Sequence, residues 1–277
     1  MKAVKKVDGR VLQRAKVVLV FMGDGWRSGL PSRADAEAMF RAALASPYMS
    51  YLAQYDGIRR AEIVGAFNGP ASVGTRAPDP RKFLPEVQLI QEKEVTDALE
   101  RQMDLTPRPA GEDSIFFAII SCGTQPVLAN HQDSGGFHLA LAHGDRRYEY
   151  AMILNYAGNT VENIWGDLAV AFTHELVEAC TDPGGVNGYR LTPSPEPKDP
   201  GENELCDYAP KTQVPLPALP RPVGLEGYWS NVHDRWVTPT GYSLRAALGQ
   251  QTSTSVPDVG ASLGSTTVRD AVRARCS

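Results

Sequence analysis

The chain has 277 residues, 42% of them apolar, with 28 Lys and Arg against 32 Asp and Glu for a formal net charge of −4. That is a globular composition long enough for one large domain, and its slight acidity with scattered basic residues excludes the basic stripe of a dedicated nucleic-acid binder. The longest apolar run, Val17 to Met22, is far too short to cross a bilayer and no signal-peptide pattern opens the chain, so the expectation is a cytoplasmic protein without a membrane span.

Residues 1–14 are polar and basic and predict a flexible arm. Lys16 to Met22 is a β-branched run ended by Gly23-Asp24-Gly25, a buried strand entering a turn. From Ser32 to Tyr55 the chain is rich in Ala, Met, Arg and Leu at helical spacing, and Ser32 with Asp35 three residues later predicts a capped start. A second strand is expected over Ala61 to Phe67, and a second amphipathic helix over Val87 to Met103, where apolar residues recur at 87, 89, 90, 95 and 99. Ser114 to Ser121 predicts another buried strand. Gly136 to Ala142 and Tyr148 to Asn155 flank His143-Gly144-Asp145 as a hairpin. The strongest helix runs from Thr160 to Thr181 and is stopped by Asp182-Pro183-Gly184-Gly185, with Val161, Trp165, Leu168, Phe172, Leu176 and Ala179 on one core-facing stripe. This order predicts an α/β (α+β) fold, a mixed β-sheet with packed helices in a single domain over residues 15–247. The Ser/Thr/Gly-rich stretch 248–277 is expected to be a mobile tail.

The 21 prolines and 25 glycines make up about one residue in six, against about 12% in average proteins. Nine of the prolines fall within residues 192–222, yet Gly201-Glu202-Asn203-Glu204-Leu205-Cys206-Asp207 in their midst has none. A plain linker has no reason to enclose an acidic, cysteine-bearing island, so the island is expected to pack against the domain.

The reason lies on the long helix. His174-Glu175-Leu176-Val177-Glu178 is an H-E-x-x-E pattern, in which residues i and i+4 project from one face about 5–6 Å apart and reach a single ion. Glu175, directly after the first ligand, stands where a general base polarises a metal-bound water. Two ligands do not complete a zinc site, and the island offers the third: Glu204 is preferred, with Glu202, Asp207 and His138 as alternatives. His138, in a strand ahead of the motif helix, is a candidate ligand or transition-state donor. His233, His131 and His143 read as turn or loop residues, Cys122 as a buried structural cysteine, and Asp24 and Trp26 as parts of a turn.

Thr173 to Pro183, followed by Glu202-Asn203-Glu204-Leu205-Cys206 and Trp229-Ser230-Asn231, resembles the EXORDIUM or phosphate-induced protein family, whose members carry H-E-L-x-E-x-x-T-[ND]-P, then E-x-x-D-L-C, then W-S. The run Val18 to Trp26, the Gly136-Phe137-His138 segment and Tyr150-Ala151 are similar to further family segments in the same order. The resemblance spans roughly residues 15–240 and implies a zincin-like metal site and a secreted protein. Trp236 stands where the family tends to have a cysteine, which leaves Cys206 as a free thiol or a soft metal ligand.

Together these features predict a zinc-dependent hydrolase acting on peptides or proteins, with His174, Glu178 and Glu204 or Glu202 holding zinc and Glu175 and His138 catalytic. The alternative is a binding or regulatory module that keeps a structural ion, zinc or, through Glu178, Glu202, Glu204 and Asp207, calcium.

Overall fold

The computed structural model describes residues 1–5, 9–27, 31–71, 74–76, 87–105, 113–121, 124–127, 135–144, 146–154, 161–185, 187–193, 203–216 and 219–239. The expected tail over 248–277 and the candidates Glu202, Cys122 and His131 lie outside them. The strands are β1 (Lys2–Lys5), β2 (Arg14–Met22), β3 (Arg60–Asn68), β4 (Gly74–Arg76), β5 (Val87–Gln91), β6 (Ser114–Ile120), β7 (Thr124–Val127), β8 (Gly136–His143), β9 (Arg146–Leu154), β10 (Tyr189–Thr192), β11 (Lys211–Val214), β12 (Val223–Glu226), β13 (Tyr228–Ser230) and β14 (Arg235–Val237). The α-helices are α1 (Arg33–Ala45), α2 (Glu92–Leu105) and α3 (Val161–Thr181). The fold is α/β, as the sequence predicts, and among the described residues no helix is long and apolar enough to cross a membrane.

Five strands form the central sheet in the order β3-β2-β6-β9-β8. The first four are mutually parallel, and β8 closes the edge antiparallel to β9. Because successive side chains alternate across a strand, each central strand supplies two cores. Val17, Leu19, Phe21, Ile115, Phe117, Ile119, Ala151 and Ile153 pack with α1 and α3, whereas Val18, Val20, Met22, Phe116, Ala118, Ile120, Met152 and Leu154 pack with Val95, Leu99 and Met103 of α2. The result is three layers with the sheet in the middle. Phe172 of α3 stacks on Phe40 of α1 with centroids 4.2 Å apart and meets Phe117 of the sheet at 4.9 Å, so truncating it to Ala removes about 3–5 kcal/mol.

Three sequence expectations need correction. The helix predicted from Ser32 to Tyr55 is two helices. Ser32 and Asp35 form the expected reciprocal cap, but Pro47 holds Ser46 in an extended conformation, α1 ends at Ala45, and a 3-10 helix continues over Pro47–Gln54. The helix predicted from Val87 begins at Glu92. Val87–Gln91 instead forms β5, parallel to β7, and the turn of direction is fastened where Gln91 N–H donates to the Glu94 carboxylate at 3.0 Å. The N-terminal arm is partly a strand: β1 pairs antiparallel with β10, and both backbone groups of Ala3 bond the Asn231 side-chain amide at 2.8 Å.

The fold positions the motif helix against the edge strand by register. His138 pairs with Ala151 and Gly136 with Ile153, both of which face α3, so alternate residues of β8 face that helix too. The acidic island is pinned between strands: Asn203 C=O accepts from Leu191 of β10 at 2.7 Å, and Leu205 C=O accepts from Trp229 of β13 at 2.9 Å. Leu205 and Cys206 are fully buried, so this part of the proline-flanked segment is a packed wall of the domain.

Candidate metal centre

The C-terminal half of α3 carries its apolar residues Phe172, Leu176 and Ala179 into the core, as predicted, and this buries the neighbouring polar ones. Glu175 and Glu178 are 4% and 2% exposed, and His174 is half-buried beside them. Helical geometry sets the order on the surface: Glu178 sits one turn beyond both His174 and Glu175 and lies between the directions they take. Oε1 of Glu178 is 3.1 Å from Nε2 of His174, and Oε2 of Glu178 is 3.8 Å from Nδ1 of His138.

Other elements complete the ring. From the edge strand, His138 brings Nδ1 to 3.3 Å from Oε2 of Glu175, while its Nε2 lies 3.2 Å from the Asp182 carbonyl and 3.6 Å from Oε1 of Glu204. From the island come Glu204, Cys206 and Asp207, and Oδ1 of Asp207 is 3.9 Å from Nε2 of His174. Arg190 on β10 faces the same cluster, with Nη1 3.0 Å from Oε1 of Glu204 and Nη2 2.5 Å from Oδ2 of Asp182.

Among the described residues three sets bring ligand atoms within 4.8 Å of one another: His174, Glu178 and Cys206; His138, Glu175 and Glu178; and Glu178, Glu204 and Asp207. All three are able to hold a metal ion, and Glu178 belongs to each. Of the predicted residues, His174 and Glu178 therefore come together with Cys206, whereas Glu204 joins Glu178 in the set with Asp207. Cys206 and Cys180 are free, buried thiols. His233 hydrogen-bonds Ser230 in the β13–β14 turn, in keeping with its reading as a turn residue, whereas His143, read as a loop residue, is the last residue of strand β8 and pairs with Asp104. Trp26 donates to the carbonyls of Met22 and Ile119, a structural role.

The electrostatics are those of a crowded acidic interior. Burial alone pushes a histidine toward neutrality, but Glu175, Glu204 and Glu178 outweigh it at His138 and raise it to about 10. Glu178, with its neighbours, does the same at His174. Burial and the nearby Glu178 raise Glu204 to about 9, and burial raises Glu226 to about 7. Burial, then Glu178, pushes the Cys206 thiol well up. Glu178 itself stays ionised, because His174, His138 and Arg190 lower it against the effect of burial. Protons on these groups thus offset part of the negative charge crowded into this interior.

Three contributors escaped the sequence reading. Asp182 is fully buried and accepts backbone N–H bonds from Asn187 and Gly188 at 2.9 and 2.6 Å; its place before Pro-Gly-Gly was a readable turn signal. Glu226 is an acidic residue within the buried strand Val223–Glu226, a pattern break that marks a polar site. Arg190 has no local signal at all. No protein-family model matches the chain, and no curated protein matches it in sequence.

Proposed function

We propose that this protein is a zinc-dependent hydrolase, a metallopeptidase in which His174, Glu178 and Cys206 hold the ion and Glu175 acts as general base. One observation carries the metal reading. The ligand atoms of His174, Glu178 and Cys206 lie within 4.8 Å of one another, with Nε2 of His174 3.1 Å from Oε1 of Glu178. An ion pair of that length is also spaced as two neighbouring ligands of one ion: at zinc–ligand distances of about 2.0–2.1 Å, two corners of a tetrahedron lie about 3.3 Å apart. A thiolate as third donor suits zinc better than a hard cation.

When bound, zinc would polarise a substrate carbonyl and lower the pKa of water. The chain's own residues do the rest. Glu175 receives the proton from water, and His138, hydrogen-bonded to Glu175 through Nδ1 and held by the Asp182 carbonyl at Nε2, orients that carboxylate. The order of the H-E-x-x-E, acidic and W-S segments, similar to that of the EXORDIUM family, supports the same reading. A peptide substrate follows from the hydrolase class of the motif.

The test is elemental analysis of the purified chain beside its variants. One zinc per chain in the wild type, none in His174→Ala, and a Glu175→Gln variant that keeps its zinc but loses peptide hydrolysis are expected. A wild type without zinc overturns the reading. The carboxylate set of Glu178, Glu204 and Asp207 favours a second reading, a structural ion such as calcium in a non-enzymatic module. In that case calcium rather than zinc raises the thermal midpoint and Glu175→Gln changes nothing measurable.

A further inference from the structure

We propose that Asp207 is a displaceable fourth ligand of the ion held by His174, Glu178 and Cys206, a latch that closes the centre at rest and leaves when substrate enters. The inference rests on the zinc reading above and concerns how that same site is regulated.

Three protein ligands leave one corner of a tetrahedron. A catalytic zinc keeps that corner for water or substrate, whereas a fourth protein ligand closes it. The island supplies such a fourth group next to Cys206. Oδ1 of Asp207 lies 3.9 Å from Nε2 of His174. That is a little wider than the separation of about 3.3 Å between two ligands of one zinc ion. Asp207 also shares with Glu178 a set whose ligand atoms lie within 4.8 Å of one another. Its other oxygen, Oδ2, accepts the Glu204 N–H at 2.6 Å, which keeps the carboxylate turned so that Oδ1 is presented to His174. The island thus brings Cys206 and Asp207 to the place where α3 brings His174 and Glu178.

Exposure decides which of the four yields. Glu178 and Cys206 are buried and form the floor of the centre. The side chains of His174 and Asp207 are 24% and 14% exposed, so these two stand at its mouth, where a substrate arrives. His174 is fixed by its pairing with Glu178 one helical turn away, whereas Asp207 is carried on a turn outside any helix or strand. Its side chain swings out by rotation about its own bonds and leaves the helix and the sheet in place. Charge favours the same ligand. Glu178, a Cys206 thiolate and Asp207 carry one negative charge more than a divalent ion balances. With water in place of the Asp207 carboxylate the centre is neutral, and the ion polarises that water more strongly.

The experiment uses the full chain, stripped with a chelator and loaded with Co2+ in place of zinc. Stoichiometry is read by elemental analysis, and the ligand field by visible absorption between pH 6 and pH 9, before and after azide is added. The wild type should hold one Co2+ per chain with a thiolate charge-transfer band and a tetrahedral spectrum that neither pH nor azide changes, because no bound water is there to ionise or be replaced. Asp207→Ala, shown to be folded by circular dichroism, should keep the ion and the thiolate band. Its spectrum should shift with pH, as a metal-bound water with a pKa of about 7 ionises, and shift again with azide. A wild-type spectrum that pH or azide already alters overturns the latch and leaves the zinc reading intact, and so does an Asp207→Ala spectrum as unresponsive as that of the wild type. Loss of the ion from folded Asp207→Ala also overturns the latch, since a ligand that leaves during turnover is not the one that retains the ion. A wild type that binds no Co2+, or binds it without the thiolate band, overturns the His174–Glu178–Cys206 site and the latch with it. Should Asp207→Ala fail to fold, Asp207→Asn, which keeps an acceptor for the Glu204 N–H, takes its place.

Discussion

A Cβ placed on Gly136 would lie 2.6 Å from Oε1 of Glu175 and 3.0 Å from the Met152 carbonyl. The edge strand therefore approaches the motif helix more closely than any side chain permits, and the glycine is what lets β8 bring His138 within reach of Glu175. Gly136→Ala should displace either the strand or the carboxylate. The expected cost is about 1–3 kcal/mol, read as a lowered thermal midpoint, with a larger fall in hydrolysis than in zinc content. An alanine variant that melts and turns over like the wild type would show that this approach has no role.

Asp182 joins the end of the motif helix to the strand that carries Arg190. It is fully buried, accepts the N–H groups of Asn187 and Gly188, and pairs with the Arg190 guanidinium at 2.5 Å. Removing one partner of a buried ion pair strands the other, so Asp182→Ala should destabilise the chain by about 3–5 kcal/mol in urea denaturation. Asp182→Asn, which keeps an acceptor for the two N–H groups, should cost clearly less. Equal losses in the two variants would refute the hydrogen-bonding role.

How much of this was legible follows the range of the interactions. The motif pair His174 and Glu178 is set by helical spacing within one turn, and the helix boundaries by Ser32 and Pro183, so all of these could be read locally. The strand at Val87 was missed because a short apolar run fits both periods until a neighbouring strand arbitrates, which here is β7. Ser46-Pro47 did carry a local stop signal, which the Ala-rich helical pattern on either side masked. At the site, His138 was a candidate, but its contact with Glu175 depends on the β8–β9 register, and its neighbour Arg190 arrives on a strand whose partner, β1, is the segment read as an arm. Pairings between distant segments leave no periodic trace in either one.

The β1–β10 pairing has a measurable consequence. Asn231 clamps Ala3 through two hydrogen bonds of 2.8 Å, β1 lies along β10, and β10 in turn holds Asn203 of the island. Asn231→Ala should cost about 1 kcal/mol, since each bond contributes about 0.5–1.5 kcal/mol net and the site is partly wetted. Hydrogen exchange should rise at Leu191, whose N–H bonds the island, as well as along β1. Faster exchange confined to β1 would mean that the N-terminal strand does not support the island.

The protonation of the centre sets a pH dependence whose sign is opposite to that of a salt-bridged carboxylate. Burial and Glu178 raise Glu204 from 4.5 to about 9, and burial raises Glu226 from 4.5 to about 7. Against the opposing effect of burial, Glu175 and its acidic neighbours raise His138 from 6.5 to about 10. Between pH 6 and 9 the folded, ion-free chain thus holds more protons than the unfolded chain, and stability falls as pH rises, by about 1.4 kcal/mol per pH unit for each extra proton held. Glu178, lowered from 4.5, acts in the opposite sense but only in acid, outside this window. On the zinc proposal, the ion takes the place of the protons on His174 and Cys206, so binding releases protons and tightens with pH. The chelated protein should therefore melt at progressively lower temperature from pH 6 to pH 9, while the midpoint shift produced by added zinc grows over the same range. A chelated midpoint that stays level or climbs with pH would show that the buried carboxylates carry no protons, and a zinc shift that shrinks with pH would show that zinc displaces no protons.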